Sequence, residues 1–141
     1  SADVEEVERT SIRGLTPLVR LSQYYEIIPD CFLVAEVEGR VEGYIVANIH
    51  YTRDKVREGH ILAIAVHPEY RRKGTGRQLL LHVSKILKAK GAQRIRLEVK
   101  VNNSGAREFY LRGGFKVVEV IQGYYRMRGY NEDAVVMIRN L

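Results

Sequence analysis

The sequence predicts one mixed α/β (α+β) domain with a central sheet, and three observations carry that reading. An unbroken apolar run, Ile61 to Val66, leads through a glycine-bearing turn into an amphipathic stretch ending near Lys90. A second strand-like stretch, Arg94 to Lys100, alternates charged residues with Ile95, Leu97 and Val99. Strand, helix and strand at this spacing imply parallel neighbours joined by a right-handed crossover. Third, Phe32–Glu38 and Val41–His50 flank Glu38-Gly39-Arg40, which reads as an antiparallel hairpin. Both senses of pairing in one chain of 141 residues give a mixed sheet around a single core. No linker, repeat or low-complexity tract divides residues 1–141.

The elements follow in order. Residues 3–12 place Val4, Val7 and Ile12 among acidic residues, a sparse helical pattern. Thr16-Pro17 is an N-cap followed by proline at the first helical position. It opens a second helix to about Tyr25, closed by Pro29-Asp30. After the hairpin, residues 52–59 read as a polar loop. Ile61–Val66 lacks alternation, as expected of a strand buried on both faces, and His67-Pro68 stops it. From Thr75 to Lys90, Leu79, Leu80, Val83, Ile86 and Leu87 recur with helical period, and Gly91 follows as a natural terminator. Ser104–Arg112 is a short helix closed by Gly113-Gly114. Phe115–Ile121 and Ala134–Ile138 are final strands joined by a tyrosine-rich polar loop.

Composition narrows the partners. The net charge of +6 and pI of about 9.5 favour an anionic ligand such as a nucleotide cofactor, an acidic peptide or RNA. No apolar stretch is long enough to span a membrane, and no secretory leader pattern is present, so a cytoplasmic setting is expected. Cys31 is the only cysteine and precedes an apolar run, which fits a small core residue. The four histidines, His50, His60, His67 and His82, are scattered without paired ligands, so no metal is expected.

The most informative stretch is Arg71-Arg72-Lys73-Gly74-Thr75-Gly76, between the buried strand and the long helix. A helix N-terminus offers free N–H groups and a partial positive charge, and glycines let a ligand approach the backbone. Cations, glycines and helix start together suit a phosphate or pyrophosphate. A P-loop needs a Gly-Lys-Ser/Thr ending, and a dinucleotide fingerprint needs Gly-x-Gly-x-x-Gly; neither is present. No aromatic stacking motif accompanies the turn, so nucleic acid is not the expected partner.

Four motifs stand in order: Ile64-Ala65-Val66; Arg71-x-x-Gly74-x-Gly76; Leu97-Glu98-Val99; and Asn103-x-x-Ala106-x-x-Phe109-Tyr110-x-x-x-Gly114-Phe115. Together they resemble the GNAT superfamily of acetyl-CoA-dependent N-acetyltransferases, over nearly the whole chain. Phe32-Leu33-Val34-Ala35-Glu36, Tyr124-Tyr125 and Glu132-Asp133-Ala134 bring the likeness nearest to the RimI-type subgroup, which acetylates protein N-termini. The resemblance implies the GNAT acyl-CoA N-acyltransferase fold, a twisted mixed sheet with helices on both faces.

By the same resemblance, Arg71, Arg72, Lys73, Gly74, Thr75, Gly76 and Arg77 hold the CoA pyrophosphate. Backbone groups of Ile64, Ala65 and Val66 pair with the pantetheine arm, and Asn103 also serves CoA. Glu98 matches the general base and Tyr110 the general acid, while Tyr124 and Tyr125 frame the acceptor's N-terminus. Each has a plainer reading too. Glu98 lies on the charged face of its strand, Tyr110 can be packing, and Asn103 can be a helix cap. His60 and Glu36 are rival bases. Most family members start with a short strand, whereas Ser1-Ala2-Asp3 leads straight into the helical pattern; the segment around Arg13-Gly14-Leu15 lacks the aromatic residues of bacterial members.

The implied reaction is direct acetyl transfer from acetyl-CoA to a protein or peptide α-amine, a ribosomal protein being one acceptor type, by a monomer or dimer. The alternatives are a GNAT acting on lysine side chains or small amines, and a non-catalytic CoA-binding or RNA-associated module.

Overall fold

The computed structural model describes residues 29–71, 73–124 and 132–141. The two helices expected before Pro29, together with Arg72, Tyr125 and most of the tyrosine-rich loop, lie outside the described residues.

Among the described residues, six strands form one mixed sheet: β1 (Cys31–Val37), β2 (Arg40–Tyr51), β3 (Arg57–Val66), β4 (Arg94–Lys100), β5 (Lys116–Ile121) and β6 (Ala134–Asn140), in spatial order β1-β2-β3-β4-β6-β5. Only β3 and β4 pair in parallel. The β1–β2 hairpin turns at Glu38-Gly39, where both residues adopt positive φ. Between β3 and β4 lies α1 (Thr75–Ala89), and between β4 and β5 lies α2 (Ser104–Arg112).

The apolar stripe of α1 buries Leu79, Leu80, Val83 and Leu87 against Ile45, Ile61, Ile95, Leu97, Val135 and Met137 of the sheet. Tyr110 and Phe115 join this cluster, so α2 covers the same face. Tyr44, Val46, Ala63 and Ala65 form a second buried cluster. A bulge in β3 sorts the two sets: Ala47 pairs with Ile61 and Val46 with Ala63, leaving Leu62 as the extra residue. Ile64 and Val66 therefore pack toward the helices while Ala63 and Ala65 join the second cluster, consistent with an unalternated apolar run.

The expected polar loop over 52–59 is shorter than its composition suggests, because β3 already begins at Arg57. Glu58, within that stretch, is buried in a satisfied network. The Glu58 side chain is 2% exposed, with Arg94 Nε at 2.7 Å and His50 Nε2 at 2.9 Å. A guanidinium from β4 and an imidazole partner from β2 make a carboxylate tolerable inside a strand. β5 starts one residue later than expected, because Phe115 turns into the core with 1% exposure.

Candidate active site

The site follows from how β3 and β4 separate. Their parallel ladder has three registered pairs, Glu58 with Arg94, Gly59 with Ile95 and His60 with Arg96. Beyond His60, β3 stays with β2 as far as Val66, and β4 stays with β6 as far as Lys100. The strands thus form a fork that opens toward their C-terminal ends. The edge of Ile61–Val66 that faces β4 has no ladder there, which leaves a segment able to accept an extended, amide-bearing chain as an added strand.

At the mouth of the fork α1 begins. Gly74 is its N-cap with φ +83°, a conformation that glycine adopts without steric penalty. No side chain caps this end, so first-turn N–H groups are not consumed by a cap, and no acidic residue stands in the first turn. A Cβ on Gly76 would lie 3.4 Å from the Phe109 ring, an ordinary contact distance, so α1 starts directly against α2. The nearby side chains are partly engaged. Arg71 Nε donates to the Val66 carbonyl at 3.3 Å, Lys73 Nζ stands 5.1 Å from the centre of the Tyr70 ring, and Thr75 Oγ1 donates to Glu42 Oε1 at 3.3 Å. Arg77 is exposed. Thr75's hydroxyl is turned to Glu42, which leaves its backbone as the group for an anion.

At the closed end of the fork, where pairing stops, Glu98 is held by two neighbours. His60 Nε2 lies 2.6 Å from Oε1, and Arg96 Nε donates to Oε2 at 2.8 Å. The Glu98 side chain is 8% exposed. Burial pushes its carboxyl up, but the contacts with His60 and Arg96 outweigh burial and hold it below the ordinary carboxylate range. Glu98 is therefore a fixed anion at neutral pH, with an imidazole nitrogen held directly on it. Tyr124, from the loop after β5, donates its hydroxyl to the same Oε1 at 3.4 Å. That turn is fixed by Asp133, whose Oδ1 accepts from Gly123 N at 2.8 Å and whose carbonyl accepts from Val101 N at 3.0 Å.

The remaining candidates are placed as follows. Tyr110 is 6% exposed and packs edge-on to Phe109 and Phe115, with ring centres 5.2 and 5.6 Å away. Asn103 caps α2, its Oδ1 accepting from Ala106 N at 3.1 Å. Glu36 is exposed on the edge strand β1, with β2 and β3 between it and β4, which removes it from the site. Sequence reasoning gave His60 only second rank and assigned no site role to Arg96 or Asp133. His60's role depends on the register of β3 against β4, and Asp133's on a contact across the loop after β5, whereas Arg96 reaches Glu98 within β4. Among the described residues, no group of three or more His, Cys, Asp or Glu could hold a metal ion.

A forked parallel pair, a glycine turn without a side-chain cap at its mouth and a buried carboxylate at its closed end make up the candidate site. Residues 4–115 match the Acetyltransferase (GNAT) family, and the chain belongs to it. The chain is 42% identical over 118 residues to an N-alpha-acetyltransferase of Saccharolobus solfataricus, covering 78% of this chain and 69% of that one. It is 36% identical over 80 residues to the ribosomal-protein-bS18-alanine N-acetyltransferase of Escherichia coli K12, covering 57% and 54%. The crystal structure of Ard1 from Thermoplasma volcanium superposes with a TM-score of 0.83 at 28% identity, over 99% of this chain and 90% of that one. The fold and family expected from the motifs are borne out, as is an acetyltransferase activity that uses acetyl-CoA.

Proposed function

We propose that this enzyme acetylates the α-amine of protein or peptide N-termini, with His60 and Glu98 acting together as the base. The observation that supports it most is the pair's position. His60 is the last residue of the β3–β4 ladder, and Glu98 meets it at 2.6 Å where the fork begins.

Acetyl-CoA supplies an activated thioester carbonyl. Backbone N–H groups of the turn, with Arg72, Lys73, Gly74, Thr75, Gly76 and Arg77, would hold its pyrophosphate. Backbone groups of Ile64 to Val66 would align the pantetheine arm, and Asn103 can contact CoA while capping α2. In the transfer the amine nitrogen bonds to the acetyl carbon, the carbon–sulfur bond breaks, and the amine gives up a proton. His60 takes that proton directly or through water, and the Glu98 carboxylate orients the ring and stabilises its charged form. Arg96 keeps Glu98 in place. Tyr110 returns a proton to the departing sulfur.

The acceptor class follows from proton affinity. A free α-amine has a reference pKa near ~8, against about 10.4 for lysine. A lysine amine therefore lies about two units further from its neutral form than an α-amine at the same pH, or roughly 3 kcal/mol. Tyr124, whose hydroxyl donates to the same carboxylate oxygen, would meet the acceptor's first peptide group, with Tyr125 as its expected companion. The Escherichia coli relative's named acceptor, a ribosomal protein with N-terminal alanine, makes such a terminus the first substrate to try. The test is a set of free-N-terminus peptides against the same peptides blocked at the N-terminus but carrying lysine. Acetylation confined to the free set supports the reading, and equal or faster modification of the blocked set refutes it.

A further inference from the structure

Three polar or charged residues are buried among the described residues: Glu42 at 4%, Glu58 at 1% and Ser84 at 5% exposure. Two of them have strong partners. Glu58 is held by Arg94 and His50, and Ser84 donates its hydroxyl to the Leu80 carbonyl at 2.7 Å. Glu42 differs. Among the described residues it forms no ion pair, and its side chain has one hydrogen bond, from the Thr75 hydroxyl at 3.3 Å. A buried carboxylate without a cation is costly, so its presence calls for a reason.

The fold fixes this carboxylate beside the start of α1. β1 pairs Ala35 with Gly43 and Glu36 with Val41, which leaves Glu42 as the extra residue of a bulge, a feature that re-aims a side chain. The Glu42 carbonyl accepts from His67 N at 2.8 Å, tying β2 to the turn that leaves β3. At Gly43 a Cβ would stand 2.6 Å from the Ala65 carbonyl oxygen and 3.2 Å from a Leu79 methyl, so β2 packs closely against β3 and α1 there. The Glu42 side chain reaches Thr75, the first residue of α1. That helix end has no side-chain cap and no acidic residue in its first turn. Glu42 thus supplies, from a neighbouring strand, an anion that the positive end of α1 lacks in its own sequence, and the helix dipole makes the buried charge tolerable.

We propose that Glu42 sets the affinity of the turn for CoA by opposing the pyrophosphate charge, which keeps product CoA releasable; the inference rests on the turn holding that pyrophosphate. The turn supplies four cations, Arg71, Arg72, Lys73 and Arg77, in addition to the helix end. A carboxylate beside it weakens the hold without blocking it, since the Thr75 hydroxyl is engaged and its N–H is not. Thr75 N lies within about 4 Å of its own hydroxyl oxygen, and a phosphate oxygen accepting from that N–H adds about 3 Å, so carboxylate and phosphate stand roughly 6–9 Å apart. At an effective dielectric constant of about 40, between the values for surface pairs and for bulk water, one phosphate charge at that range weakens binding about five- to tenfold.

The experiment is calorimetric titration of the full chain with CoA. Glu42→Gln keeps the shape and an acceptor for the Thr75 hydroxyl while removing the charge, and it should bind CoA about five- to tenfold more tightly than the parent. A second neutral variant, Glu42→Ala, should move affinity in the same direction. Thr75→Val removes the hydroxyl but leaves the carboxylate, and should bind CoA no more tightly than the parent. In peptide acetylation, Glu42→Gln should lower KM for acetyl-CoA without raising kcat. Acetyl-pantetheine, which lacks the pyrophosphate, should give parent and variant the same kcat/KM. Damage to the fold weakens binding, so a gain in affinity separates this role from a structural one. The inference is overturned if both neutral variants bind CoA no more tightly than the parent, if Thr75→Val tightens binding as much as Glu42→Gln, or if the gain extends to acetyl-pantetheine. A parent that binds acetyl-pantetheine as tightly as acetyl-CoA would instead remove the pyrophosphate from the turn, and this inference with it.

Discussion

Replacing His60 by glutamine, Glu98 by glutamine, and both together distinguishes one shared base from two independent contributors. The carboxylate is 8% exposed and has His60 at 2.6 Å and Arg96 at 2.8 Å. Removing its charge leaves the imidazole without its anion, and removing the imidazole takes away the proton acceptor itself while Arg96 still holds the carboxylate. Either change should cost the general-base contribution, about 10²–10⁴ in rate, or roughly 3–5 kcal/mol. Because one proton acceptor is lost each time, the double variant should be about as slow as the slower single variant. The assay is kcat/KM for a free-N-terminus peptide at saturating acetyl-CoA between pH 7 and 9, with thermal melts to establish folding. The deficit should shrink toward pH 9, as the α-amine loses its proton unaided. Multiplying losses, a deficit constant with pH, or a Glu98→Gln variant within threefold of the parent would refute the shared base.

Three further predictions follow from the same geometry. Tyr110→Phe keeps the ring between Phe109 and Phe115, so it should lower kcat by about 10² or more while leaving the melting temperature and acetyl-CoA affinity near those of the parent. Gly74→Ala meets no atom within 4 Å but must hold φ +83°, at a cost of about 1–2 kcal/mol; thermal melts should show that loss, and titration should show weaker CoA binding. Glu98 has its folded pKa depressed, so its stabilising effect is present above the ordinary carboxylate range and is lost as pH falls through the depressed value. Urea unfolding from pH 7 down to 3 should show the stability gap between the parent and Glu98→Gln narrowing as the pH falls.

The helix beginning at Thr75 and the alternating strand from Arg94 were legible because burial on one face imposes a period on the sequence. Their agreement with the structure is close, α1 ending at Ala89 and β4 spanning Arg94–Lys100. The start of β3 was hidden because Glu58 and His60 look like loop residues until Arg94 and Glu98 on the neighbouring strand are seen to pair with them. The insertion of β6 between β4 and β5 likewise left no local mark. At the site, Glu98 and the glycine turn were visible through their ordered motifs. The engagement of Glu98 by His60 is a cross-strand contact 38 residues apart, which neither propensity nor periodicity encodes. Tyr124 was found as a member of a loop motif, but its contact with Glu98 depends on the turn tied down by Asp133.

The most direct test of the central claim, that the fork brings acetyl-CoA and an N-terminal α-amine together, is a comparison of two bisubstrate compounds by calorimetry. One joins CoA through the acetyl carbon to the α-amine of a short peptide. The other joins it to a lysine side chain of the same peptide with its N-terminus blocked. The account predicts that the α-linked compound binds at least tenfold more tightly than CoA alone and displaces both acetyl-CoA and peptide, while the lysine-linked compound binds no better than CoA. Equal or tighter binding of the lysine-linked compound would contradict it.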